Sequence, residues 1–492
     1  MARNLRRLFS TLLTAMRILR SYTRSRRNLT VAAREPEELE ALASQSLLFV
    51  GGDVRVDGRR DADALRRIVE TMGRLLQVKN LAVLMGAGAS MHLGSPRIRG
   101  LSSDEVLDMA RRVKDPLPPQ DKELIEELCG ADPVDLEGLL ATLSLGIAFA
   151  GATASDLVHL KDQPVSLATV TSTRRTINLA LARSCSLPDL DHTDEAHQGD
   201  PLRIHREFFR RLLRSRRGDL PRVRLFTTNY DLLAEQALDD SGIPYFDGFL
   251  GTVSRVFRPE VFEQDIYLPP GPDERRITRL PDIMYLYKLH GSINWRASSS
   301  GAGLGADVVV QTNRLSQESE DLALIYPTPH KEGDVLGYPY SELFRDFSVI
   351  VGAPETALLV VGYGFSDEHI NRFIFQALAA VPTFQLFVVD PGAALFDQEP
   401  SPVATTAAED EGSADRIQSD RPIKVATSLP GRLATFDDAR VSVLAGAAAR
   451  FENLATSIMP DPDELAEEDA SAPLTARLSA LLQGEADDST TP

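Results

Sequence analysis

Four short stretches of this 492-residue chain collect residue types able to act on an anionic, hydrogen-bonding ligand. The first is Gly86-Ala87-Gly88-Ala89-Ser90, directly after the apolar run Leu81–Met85. Glycines at such a turn let the backbone approach a bound pyrophosphate, with free N–H groups pointing at the anion. A plain strand–helix turn explains the same residues. Downstream, Gly94-Ser95-Pro96-Arg97-Ile98-Arg99 adds a second turn and two cations suited to a phosphate or carboxylate. The second stretch is Leu225-Phe226-Thr227-Thr228-Asn229-Tyr230-Asp231. It offers an amide with both donor and acceptor and a carboxylate; helix capping accounts for one of the two. The third, Tyr287-Lys288-Leu289-His290-Gly291-Ser292, ends an apolar run in a histidine, the usual general base near neutral pH. A lone histidine is more often structural, and only its place at a strand end favours chemistry. The fourth, Leu358 to Val361 followed by Gly362-Tyr363-Gly364-Phe365-Ser366-Asp367, closes on residues that a capped turn explains, although a cap does not need both glycines.

Each stretch follows a short apolar run of the kind that forms a parallel strand buried on both faces. Further such runs lie at Leu386–Val389 and Val441–Leu444. Helix-like stretches at 61–80, Tyr230–Leu238 and Asp367–Ala380 alternate with them. This order predicts an α/β fold: a Rossmann-like parallel sheet flanked by helices, with a mainly helical second region over about 101–220. Ligands of such sheets bind at the carboxyl ends of the strands, where all four stretches fall.

Outside this body, residues 1–34 hold nine arginines and no acid, with Leu5, Leu8, Leu12, Met16 and Leu19 at helical steps. Residues 1–60 therefore read as a basic arm and linker, and 61–460 as the folded domain. Either a partly ordered arm or a docking helix fits the first segment. Arg17 and Arg20 interrupt the apolar stretch, which argues against a cleaved signal peptide. Ser298 to Ala306 reads as a flexible loop, and 394–421, without periodicity, as a disordered insertion. Residues 461–492 form an acidic tail with nine acids and one arginine.

Bulk properties limit the function classes. A formal charge of −18 disfavours nucleic-acid binding through the body, so no sequence-specific contact is expected. No apolar run reaches the roughly 18–20 residues of a membrane span. Two cysteines, Cys129 and Cys185, cannot build a four-cysteine zinc site, and their scarcity fits a reducing, cytoplasmic compartment.

Taken in order, Gly-Ala-Gly-Ala-Ser, Thr-Thr-Asn-Tyr-Asp, Lys-Leu-His-Gly-Ser and the late Gly-Tyr-Gly turn resemble the sirtuin family, and more closely its bacterial SIR2-like members. The likeness runs from about Leu81 to Phe365 and toward Leu444. It implies that Gly86, Ala87, Gly88 and Ser90 cradle the phosphates of NAD⁺, with Thr227 beside them. It places Arg99 on the cofactor loop, Asn229 and Asp231 beside nicotinamide and its ribose, His290 as the catalytic histidine, and Gly362 under the adenosine half. The departures are the missing zinc cysteines and a loop lacking the family's Asp and Phe before Arg99. They speak against protein deacylation. SIR2-like proteins without the zinc module look like NAD⁺ hydrolases, many similar to antiphage effectors that deplete NAD⁺. That implies NAD⁺ as substrate, no zinc, a homo-oligomer, and a helicase-like ATPase or Argonaute-like partner. A non-catalytic NAD- or ADP-ribose-binding sensor or scaffold is the alternative expectation.

Overall fold

The apolar runs form one sheet. The computed structural model describes residues 36–94, 99–130, 134–160, 163–185, 200–269, 277–298, 308–312, 322–324, 337–396 and 423–461. Two compact units are distinguished, residues 1–42 and 43–492. In the first, the described residues begin helix α1, Pro36–Ser44.

The second unit is built on nine strands: β1 Ser46–Val50, β2 Asp53–Asp57, β3 Asn80–Met85, β4 Val223–Thr227, β5 Tyr245–Phe246, β6 Met284–Lys288, β7 Thr356–Val361, β8 Gln385–Val389 and β9 Val441–Gly446. Their order across the sheet is β2-β1-β9-β8-β7-β3-β4-β6-β5. From β9 to β5 every pairing is parallel; β1 and β2 join antiparallel at one edge. All six residues of β7 are buried, as are the last five of β3, which is why these strands read as continuous apolar runs. The chain leaves β3 toward β4 and β6, then returns to the other side of β3 for β7, β8 and β9. The sheet therefore reverses direction between β3 and β7, and a crevice opens at such a switch point.

Helices flank the sheet. Helices α2 Ala64–Leu76, α7 Arg203–Arg214 and α8 Leu233–Asp240 bury Ile68, Met72, Phe208, Leu212 and Leu238. Helices α9 Tyr340–Val351 and α10 Glu368–Ala380 pack Phe344, Phe347, Ile370 and Ile374 into one cluster with Leu84, Phe226, Leu358 and Val360. The helical region comprises α3 Ser103–Val113, α4 Pro119–Cys129, α5 Leu136–Thr153 and α6 Leu167–Cys185 before α7. Helix α3 starts on a capping box: Ser102 Oγ accepts from Glu105 N–H at 3.2 Å, and Glu105 accepts from Ser102 N–H at 2.6 Å. This region has its own core, built on Val106, Leu124, Ile125, Leu140, Val170 and Ile177. Tyr230, just past β4, and Ile293, in the strand Gly291–Ser298 that follows β6, are part of that core. The loops that carry the second and third motifs are thus clamped between the sheet and the helical region.

The structure refines the sequence reading in several places. The arm and linker do not extend to residue 60, because residues 46–57 are sheet strands joined by the two-residue turn Gly51-Gly52 with φ of +61° and +81°. The helices expected over 61–80 and from Tyr230 are shorter, starting at Ala64 and Leu233. The helical region also holds an antiparallel hairpin, Leu157–Leu160 with Gln163–Ser166. A five-stranded antiparallel sheet, with Gly291–Ser298 as its longest strand, was not anticipated; it buries Trp295 against Phe249 and Phe257. Of the insertion expected to be disordered, Ala394–Phe396 is a strand paired with Ile423–Val425, and 397–421 lie outside the described residues. So do residues 1–34, 299–306 and 462–492, which hold the expected basic arm, the rest of the flexible loop and nearly all of the acidic tail. Among the described residues no helix is long and apolar enough to cross a membrane.

Candidate functional site

The four motifs converge at the carboxyl ends of β3, β4, β6 and β7. The run of β3 stops at Met85, and Ala87–Ala89 curl into a single 3₁₀ turn. This turn lies against the one after β7: Gly86 N–H donates to Val361 O at 3.0 Å and Gly88 N–H to Gly362 O at 2.8 Å. A Cβ on Gly88 would stand 2.6 Å from Gly362 Cα, and one on Gly362 would stand 2.5 Å from Ala89 N. Gly362 also sits at φ +63°. The glycines are therefore required by backbone meeting backbone at the switch point, before any ligand is considered. The expectation of several free N–H groups needs correction. Those of Ala89 and Ser90 donate to Gly86 O and Ala87 O, so the bonds within the turn leave only that of Ala87 over.

Asn229 ties the second motif to the first. Its Nδ2 donates to Gly86 O at 3.2 Å and to Ser90 Oγ at 3.1 Å. Its backbone N–H donates to Thr227 Oγ1 at 3.0 Å, while Thr227 O accepts from Leu289 N–H at 2.9 Å. Thr227 is thus a buried link between β4 and β6, and Asn229 is half-buried with its acceptor Oδ1 outside these bonds. Ser90 passes the chain on, donating to Asp231 Oδ2 at 2.9 Å. Asp231 is buried, and its Oδ1 accepts from Leu233 N–H at 3.1 Å at the start of α8. Asn229, Ser90 and Asp231 form one relay, in which the carboxylate holds the turn from beneath.

Charge accumulates below this relay. Lys288, the last residue of β6, is buried; its Nζ donates to Glu235 Oε1 at 2.8 Å and to Asp231 O. Burial pushes the Asp231 and Glu235 carboxyls up, and the Lys288 ammonium opposes that rise. Two carboxylates against one ammonium leave the floor negative when all are ionised. Cys185, at the end of α6, is buried and its thiol is pushed up to about 12 by burial, with Asp231 adding to the rise. It is no nucleophile at neutral pH.

His290 follows β6 and is buried, with its ring centroid 6.2 Å from Tyr230 and 6.4 Å from Phe344. Its Nε2 lies 2.9 Å from Asp367 Oδ2. Sequence reasoning gave Asp367 only a capping task, and gave Lys288 and Glu235 none. The available signal was a lysine closing a buried strand, since such a charge demands a partner. Arg99 opens a short strand, Arg99–Leu101, paired with Val134–Asp135, and its side chain is outside the described residues, as are Ser95 to Ile98. Among the described residues no group of three or more His, Cys, Asp or Glu is arranged to hold a metal ion.

Residues 223–413 match the family model of the SIR2-like domain. That span contains Asn229, Asp231, His290, Gly362 and Asp367. The Gly86–Ser90 turn precedes it and joins the site through the bonds from Asn229. No curated protein is similar enough in sequence to count as a match.

Proposed function

We propose, from the premise that this chain carries a SIR2-like domain and so belongs with NAD-using enzymes, that it hydrolyses NAD⁺ at the bond between nicotinamide and ribose. The observation that supports this reading most is the junction of Asn229 with Gly86 and Ser90, one strand away from a buried His–Asp pair. A binding module needs the glycine turn; it has no use for a base held beside it.

Nicotinamide in NAD⁺ is a cation and departs neutral, taking the electron pair of the C1′–N bond. No acid is needed for that departure. The protein must instead stabilise positive charge developing on the ribose and supply a water. When Asp231 and Glu235 are both ionised, the floor they form with Lys288 favours such charge. Asn229 Oδ1 is an acceptor suited to a water O–H or a ribose hydroxyl. Water oxygen then bonds to C1′ and its proton passes to His290. Asp231 acts through Ser90 and Asn229, because both its oxygens are engaged within the protein.

Free NAD⁺ hydrolysis would poison the cell that makes the enzyme. We therefore read the chain as a regulated effector of the antiphage type, assembled with its own copies or with an ATPase or Argonaute-like partner. The test is incubation of the purified full chain with NAD⁺ and chromatography of free nicotinamide, alone and with a candidate partner. Release of nicotinamide supports the proposal. NAD⁺ binding without release in either condition favours a sensor instead.

A further inference from the structure

The turn after β7 holds Phe365 in a conformation that a side chain disfavours, next to a glycine that adopts it freely. Gly362 lies at φ +63° and Phe365 at φ +54°. A phenylalanine in that region is strained and persists only where its surroundings overdetermine it. They do so here. Asn371 Nδ2 donates to Phe365 O at 2.8 Å. The Tyr363 hydroxyl lies 3.1 Å from Asn371 Oδ1 and accepts from Asp367 N–H at 3.3 Å. The residue inside this frame is Asp367.

Its two oxygens have separate tasks. Oδ1 accepts from His369 N–H at 2.9 Å and Ile370 N–H at 3.4 Å, capping α10 and fixing the carboxylate plane. Oδ2 meets His290 Nε2 at 2.9 Å. Two strands, β3 and β4, separate β6 from β7. At about 4.8 Å per strand their ends stand about 14 Å apart, so the loops must lean across the crest of the sheet to meet. A helix cap alone does not require that reach or that strain.

We infer that Asp367 is a positioning residue that holds His290 in the tautomer with the proton on Nε2. The inference rests on the reading of His290 as the base. A carboxylate accepts from Nε2–H, so Nδ1 keeps the lone pair and takes the proton from water. The imidazolium formed is offset by the carboxylate of Asp367.

The test is ¹⁵N NMR of the histidine side chains in the full-length protein, with His290 assigned by the signals lost in His290→Gln. The wild type is expected to carry its proton on Nε2 with Nδ1 unprotonated. In Asp367→Asn the side-chain oxygen still caps α10, since Asn and Asp cap comparably, but the charge is gone. That variant is expected to shift toward Nδ1–H, to keep the wild-type melting temperature and KM, and to lose on the order of 10²–10⁴ in kcat. A wild-type ring protonated on Nδ1 or on both nitrogens overturns the inference, as does an unchanged tautomer in Asp367→Asn. The wild-type measurement decides even if the variant does not fold. A wild type that releases no nicotinamide counts against the hydrolase reading alone, because the tautomer is read without turnover.

Discussion

Single residues in and near the site divide into those whose type announced a task and those whose partners did. Asn229 and His290 were legible because a polar or titratable group ended an apolar run. Asp367 was not, because an aspartate before a helix is explained by capping, and only the fold brings it to His290. Lys288 depends equally on its partner. Lys288→Met leaves Glu235 buried and unpaired, and the expected loss is about 3–5 kcal/mol in denaturant unfolding at pH 7. The double variant with Glu235→Leu is expected to recover much of it; equal losses in single and double variants would refute the pairing. His205 makes a pH prediction. It stacks on His92 with centroids 5.3 Å apart and lies 4.9 Å from Phe451. Burial, with repulsion from His92, holds it at about 3, and burial lowers His92 too, against the pull of Glu452. The unfolded chain takes up a proton below about pH 6.5 while folded His205 stays neutral until about 3. The stability it contributes is full above 6.5 and falls by about 1.4 kcal/mol per pH unit as pH drops toward 3. Chemical denaturation at pH 7.5 and 5 should show a smaller loss for His205→Phe than for wild type; identical losses would show that His205 carries no such linkage.

Elements were legible where period and length agreed. Val223–Thr227 was read at the observed bounds, and the other apolar runs were read within two residues of theirs, because a strand buried on both faces writes an unbroken apolar run. The edge pair β1 and β2 was missed although Gly51-Gly52 is a strong hairpin signal, since the arginine-rich segment upstream drew the whole start into one arm. The second, antiparallel sheet was missed because every strand in it except Gly291–Ser298 is too short for an alternating pattern to show. The glycine turns were recognised for a ligand, whereas the structure gives a nearer cause in the contact of β3's turn with β7's. Gly88→Val is accordingly expected to lower stability as well as NAD⁺ affinity. Overpacking at a backbone contact that cannot yield costs about 1–3 kcal/mol. Calorimetric titration and thermal unfolding measured together check this: lost affinity with unchanged melting would place the obstruction in the ligand's space instead.

For the whole molecule, the α/β class and the helical region followed from the alternation of runs, and the place of the candidate site was read from the rule that parallel sheets bind at their carboxyl crest. Assembly was not legible, because a basic amphipathic segment serves equally as arm or docking helix. Asp461, where the acidic tail begins, pairs with Arg210 at 3.1 Å and with Arg211 at 3.0 Å, so the tail starts anchored on α7. If residues 1–34 dock a second copy or a partner, a chain beginning at Glu35 should show a lower mass by size-exclusion light scattering or altered NAD⁺ turnover. No change in either, with and without the partner, removes that role. The central claim is chemical, and one measurement tests it most directly: chromatographic release of nicotinamide from NAD⁺ by the wild type, Asn229→Ala and His290→Ala, each shown to be folded. The account predicts release by the wild type and a loss on the order of 10²–10⁴ in each variant. Release at the wild-type rate by both variants would contradict it.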